Sequence, residues 1–180
     1  SGRRPSAPLA TFTSTPCSLR AAATWPEPVA PMTLHLRGNT SLTELPPPGI
    51  EAGPTLQHTV AAGYDHLAYL AHGGGTDPAA VFASIPRIEY AYLSPPMRGT
   101  VELFGRAHAV LHVDDTTGVF QLSVEVKHVD PLGVEQFVTF GTGGLRAGVA
   151  GSQTLEFDLG DIAHVIPAGH RIKIRVLNLA

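Results

Sequence analysis

The chain has 180 residues, of which 43% are hydrophobic and only 15% charged, with 19 glycines and 16 prolines. A formal charge of −3 with 12 Lys plus Arg offers no basic field, which excludes nucleic acid as a partner. No apolar run approaches the ~20 residues of a membrane-spanning helix, so no membrane partner is expected.

One domain with a real core is the expectation for this length, and the glycine and proline content favours short strands and turns over long helices. The single cysteine, Cys17, has no partner for an internal disulfide. With no apolar signal core at the N-terminus, the expected location is cytoplasmic. The start at Ser1 without a Met reads as a fragment or a trimmed chain, open at both ends.

Residues 1–24 are rich in Pro, Ala, Ser and Thr without periodicity and read as an extended lead-in to a domain over 25–180. Thr33 to Arg37 alternates like a strand, with Leu34 and Leu36 on one face. Ser41 to Pro54, with three consecutive prolines, reads as loop. A weak extended segment, HLAYLA, follows within residues 57–72, then a Gly73–Gly75 break without a phosphate-loop context. Residues 78–84 after Asp77 form the best helical candidate. Ile88 to Leu93 reads as a strand.

The strongest pattern runs from Gly99 to Gly133. Phe120, Leu122, Val124 and Val126 take one face of a strand, with Gln121, Ser123, Glu125 and Lys127 on the other. Ala109, Leu111 and Val113 alternate just before it, and Asp114 to Gly118 supplies turn formers. The expectation is an antiparallel pair at the centre of a β-sandwich. Glu135 to Phe140 reads as a strand running into a glycine-rich stretch. Thr154 to Leu159 sets Leu155, Phe157 and Leu159 against Glu156 and Asp158. After the Pro167-Ala168-Gly169 turn, Ile172, Ile174 and Val176 face in, while Arg171, Lys173 and Arg175 face out. Eight or nine short strands without an exact repeat predict an all-β fold, a jelly-roll β-sandwich or a relative of one.

Chemistry is thinner. No G-x-S-x-G elbow is present, and a Ser/His/Asp triad is a spatial arrangement that composition cannot show. Of the nine histidines, His108 and His112 share a strand face but lie roughly 13 Å apart, too far to chelate one ion. His164 and His170 flank the Pro-Ala-Gly turn and can approach each other, without a cysteine or carboxylate cluster around them. Asp114 and Asp115 suit calcium or a solvated turn. Trp25, Tyr64, Tyr69, Tyr90 and Tyr92 suit a sugar platform or core packing. The Arg171/Lys173/Arg175 stripe is a wet strand face or an interface for an acidic partner domain.

The chain also resembles a known family. Ala91-Tyr92-Leu93-Ser94-Pro95-Pro96, Val101 to Gly105, Phe120 to Val124, Val129 to Gly133, Gly144 to Ala147 and Ala168 to Ile174 are similar to the C-terminal jelly-roll domain of the X-Pro dipeptidyl-peptidase and cocaine-esterase (CocE/NonD-like) serine hydrolases. Trp25-Pro26 and Tyr64-Asp65 resemble the start of that domain. The resemblance covers Trp25 to Leu177, and its most specific piece is Ala168-Gly169-His170-Arg171.

In that family the nucleophile and its partners lie on a preceding α/β-hydrolase domain, and nothing here matches its motif. The resemblance therefore implies no catalytic, cofactor-binding or metal-ligating residue and no cofactor in this chain, which alone should be inactive. The implied partner is the α/β-hydrolase domain of the same parent protein, which this domain would pack on and whose substrate site it would help shape. Family substrates are X-Pro peptides and acyl esters or amides. A docking surface of this kind implies an exposed apolar patch and a possible homo-oligomer. The fold's likeness to galactose-binding modules leaves a free-standing carbohydrate- or protein-binding module as the alternative.

Overall fold

The computed structural model describes residues 9–14, 17–22, 30–55, 89–116, 120–145 and 149–178. They form ten strands: β1 Leu9–Ser14, β2 Cys17–Ala22, β3 His35–Leu36, β4 Leu42–Thr43, β5 Glu89–Leu93, β6 Val101–Asp115, β7 Phe120–Val129, β8 Glu135–Leu145, β9 Gly151–Ile166 and β10 Arg171–Asn178. The fold is all-β, and no helix occurs among the described residues. The expected helix over 78–84, the HLAYLA segment, Trp25, Tyr64 and Tyr69 lie outside the described residues.

Two layers enclose the core. One is an antiparallel sheet in the order β5-β10-β7-β8, and the other is the long ribbon β6-β9. Tyr92, Leu122, Val124, Val126, Ile172 and Val176 of the sheet meet Ala109, Leu111, Leu155, Leu159 and Ile166 of the ribbon, with fully buried Leu42 joining them. The alternation expected for β7, β9 and β10 is therefore the inward face of each strand. A parallel bridge from Ser41 to Leu93 ties the β3-β4 pair to the sheet.

Several expectations change. The strand around Ala109 does not pair with the strand around Val124. β6 pairs with β9 along its whole length, and β7 lies between β10 and β8. Sequence adjacency favoured a hairpin, but in the fold the two strands sit in opposite layers, and their apolar faces meet across the core. Asp114 and Asp115 belong to β6, opposite Ser152 and Gly151, because the long ladder overrides their turn preference. The lead-in contains an antiparallel hairpin, Leu9 opposite Ala22 through Ser14 opposite Cys17. Residues 41–54 include β4, whose Leu42 fills the core.

The glycine-rich stretch also belongs to a strand. β8 runs on through Gly141, Gly143 and Gly144 to Leu145. A Cβ on Gly141 would collide with the Asp158 carbonyl and Leu159 Cα, and one on Gly143 with the Phe157 ring. These glycines let β8 lie directly against β9.

The β6-β9 and β7-β8 pairings each contain one bulge. In β9, Ala107 faces Gly160 while His108 faces Asp158, so Leu159 has no cross-strand mate. Gly160 takes φ +91°, a conformation that favours glycine. Upstream, β9 buries Leu155 and Leu159; downstream, it buries Ile162, His164 and Ile166. The phase changes from odd to even positions. In β8, Val126 faces Thr139 while Lys127 faces Phe137, leaving Val138 unmatched. Phe137 and Phe140, three apart, thereby share the outer face.

Val124→Asp should cost roughly 3 kcal/mol or more in urea denaturation, since it places an unpaired charge in the core. From the sequence alone its neighbour Glu125→Ala should fall within about 0.5 kcal/mol. The ion pair to Arg175 raises that expectation to about 1 kcal/mol. Gly141→Ala should cost about 1–3 kcal/mol because the obstacle is backbone. Gly99→Ala, with nothing within 4 Å, should leave the midpoint unchanged.

Candidate functional site

The chemistry-bearing residues gather in two places on the β7-β8-β10 sheet. On its inner face His128 extends the buried phase of Val124 and Val126, and is 6% exposed. His164, turned inward by the β9 bulge, is 3% exposed. His170 ends the Pro167–His170 turn, in which Gly169 takes φ +82°.

The three rings form a chain. His164 Nε2 lies 3.0 Å from His128 Nδ1, and His128 Nε2 lies 2.6 Å from His170 Nδ1. Their ring centroids are 5.0 and 4.8 Å apart. Burial first, and then the neighbouring His170, hold the His128 pKa below the ordinary imidazole range, while Gln136 and Asp130 oppose the shift. Burial and His128 lower that of His164. Such a chain can store and pass protons. Its nitrogens meet in pairs rather than converging on one point, and no group of three or more metal-ligating side chains suited to an ion occurs among the described residues.

His164 and His170, paired from the sequence as flanks of one turn, are thus joined through His128. The missing link was legible in principle: His128 keeps the even phase of β7 that Phe120, Leu122, Val124 and Val126 establish.

The other candidates are spent locally. His108 Nδ1 lies 3.1 Å from Asp158, and His112 Nδ1 lies 3.0 Å from Thr154, each bonded to its cross-strand mate. Asp114 accepts a hydrogen bond from the Ser152 hydroxyl. Tyr92 is 5% exposed in the core, and the Tyr90 hydroxyl donates to the Thr55 carbonyl. Those two tyrosines are packing residues rather than an open platform. Ser94 Oγ donates to the Pro95 carbonyl and accepts from the Ile172 amide, and Ser123 donates to Gly141.

The outer face carries the charges. Lys127 and Lys173 stand directly opposite each other, and Glu135 bridges both. Arg175 binds Glu125 at 2.9 Å and also Glu89, while Arg171 donates to the Ser94 carbonyl at 3.2 Å. Lys127, Lys173 and Arg175 are thus paired with carboxylates of the same sheet, while Arg171 is engaged by a backbone carbonyl. Beside them the Phe137 and Phe140 rings stand 55% and 56% exposed, with centroids 6.0 Å apart. Leu132 and Val134, in the turn before β8, are also exposed.

The two lysines hold the Glu135 carboxyl below its usual range, Lys127 first. Its stabilising contribution is complete above about pH 4.5 and is lost as pH falls through the lower folded value. Glu135→Gln should therefore cost about 1 kcal/mol at pH 7 and low salt, by leaving Lys127 facing Lys173. Urea melts should show that difference shrinking below pH 4.5 and in 1 M salt.

Comparison with known proteins follows the same outline. The family described as the X-Pro dipeptidyl-peptidase C-terminal non-catalytic domain matches residues 9–177. Among solved structures, a selenomethionine-labelled α-amino acid ester hydrolase superposes with TM-score 0.68 at 15% identity, covering 94% of this chain and 33% of its own. An aminopeptidase from a marine sediment Thaumarchaeota archaeon gives 0.67 at 15% identity, with 94% and 32% covered. A CocE/NonD family hydrolase from Staphylococcus aureus gives 0.58 at 15% identity, with 92% and 32% covered. This chain spans about a third of the length of those proteins. A search of curated protein sequences found no match.

Proposed function

Because the chain belongs to the family of X-Pro dipeptidyl-peptidase C-terminal non-catalytic domains, we propose that it is the accessory β-domain of a serine hydrolase, packed on the α/β-hydrolase domain of its parent protein. In that position it would wall part of the substrate site, and the parent would hydrolyse X-Pro peptides or acyl esters and amides. The observation that carries this reading is the family match over residues 9–177, which assigns the non-catalytic domain and not the hydrolase. The geometry is in keeping with it. His128 is linked to both His164 and His170, and the Ser94 and Ser123 hydroxyls are bonded to backbone carbonyls.

Packing also needs a surface. The outer face of β8 supplies two adjacent aromatic rings on an otherwise charge-paired sheet, with Leu132 and Val134 at its end. Aromatic anchors surrounded by locally satisfied polar groups are the composition of an interface centre.

The test has two arms. The purified chain should not cleave X-Pro anilides or activated acyl esters above background and should not be labelled by fluorophosphonates. Joined to its hydrolase domain, it should raise kcat/KM or stability, and Phe137→Ser with Phe140→Ser should weaken that effect at least tenfold. Stoichiometric serine labelling of the isolated chain would overturn the reading. A monodisperse monomer with no influence on any hydrolase domain would favour a free-standing module.

A further inference from the structure

The turn that joins β7 to β8 is specified at almost every position. The Asp130 amide donates to the Val134 carbonyl and the Gly133 amide to the Asp130 carbonyl, both at 3.0 Å. Asp130 Oδ1 also accepts from the Leu132 amide at 2.9 Å and from the Val134 amide at 2.8 Å. Pro131 restricts its own φ, and Gly133 takes φ +86°. Four hydrogen bonds thus hold a three-residue hairpin loop whose last residue is left-handed.

Leu132 is the exception. Asp130 supplies the acceptor, Pro131 the backbone restriction and Gly133 the left-handed residue, whereas the position between them takes most side chains, and polar ones are usual in turns. Here it carries an isobutyl group that is 89% exposed. Val134 is exposed as well, and Phe137 follows roughly 10 Å further along the strand. From Pro131 to Phe140 the one charged side chain is Glu135, and Lys127 and Lys173 already hold it. The strip is apolar, continuous in sequence and ends in a rigid tip.

We infer, on the accessory-domain reading, that Leu132 is an anchor held out by the Asp130 turn to enter an uncharged apolar pocket on the catalytic domain of the parent protein. Two observations point to that occupant. The matching family is a C-terminal non-catalytic domain, and this chain spans about a third of the length of the related proteins. A domain on the same polypeptide is present at high effective concentration, so it needs shape and apolar contact rather than a steering field of charge. An uncharged strip offers that contact. Asp130 is the positioning residue: a turn ordered before docking loses little conformational freedom on docking.

Accessibility of the tip, in the intact parent and in this chain alone, tests the assignment. Leu132→Cys, Phe137→Cys and Val149→Cys are made in both proteins, and their reaction with iodoacetamide is followed by peptide-resolved mass spectrometry. Leu132→Cys changes an exposed side chain and should leave the fold intact. It should react about tenfold or more slowly in the intact parent than in the chain alone. Val149→Cys, exposed and outside the strip, supplies the reference rate and should react equally in both. Asp130→Ala removes both side-chain hydrogen bonds and should undo about tenfold of the protection at Leu132→Cys. Asp130→Asn keeps an acceptor oxygen and should restore it.

Equal rates at Leu132→Cys in the two proteins would overturn the anchor. Protection at Phe137→Cys alone would do the same while leaving the accessory-domain reading in place, and protection at neither would remove both. Protection in the chain alone that grows with its concentration would make a second copy the occupant, against the assignment. Unchanged protection in Asp130→Ala would overturn the role of Asp130.

Discussion

Side chains alternate across a strand with period two, so a single unmatched residue moves everything beyond it to the opposite face. This chain uses that constraint twice. Leu159 in β9 shifts the inward phase so that Ile162, His164 and Ile166 enter the core. Val138 in β8 brings Phe137 and Phe140 out together. Without the first bulge His164 would face away from His128. Without the second, one aromatic would point at β9, where Gly141 and Gly143 leave no room.

The bulges also explain how two layers of unequal shape stay packed. The β6-β9 ribbon is long, and each bulge adds local bend and twist. β8 can then cross close to β9, where Thr139 Oγ1 donates to the Leu159 carbonyl at the bulged residue itself. The two irregularities thus meet across the layers. The glycines of β8 are the steric condition for that meeting.

Charge is organised by the same sheet. With few ionic groups in the chain, most of those on β7, β8 and β10 are matched within the sheet: Glu135 between two lysines, Arg175 between Glu125 and Glu89. Self-contained pairing leaves the aromatic rings, rather than a field of one sign, as the feature a partner would meet. The histidine chain is the inner counterpart. His128 and His164 are buried, which disfavours their cationic forms, and half-buried His170 completes the chain. Such a network specifies one packing of the Pro167–His170 turn on the core.

The all-β class, the inward faces of β7, β9 up to Leu159, and β10 were determined by the sequence, because alternation of apolar and polar residues is a local property. The resemblance carried by Ala91 to Pro96 and by Ala168 to Arg171 pointed to the same family that residues 9–177 match. The pairing partners were not legible. β6 and β7 are neighbours in sequence and sit in opposite layers, since only the three-dimensional burial of both faces decides between a hairpin and a crossing. Gly160 within a strand and the three-residue step from Leu159 to Ile162 were the traces of the β9 bulge, and His128 continued a phase already visible in Val124 and Val126. That His164, His128 and His170 touch was decided by tertiary structure alone. Their contact depends on the register of three strands at once, and no local pattern encodes the sum of three registers.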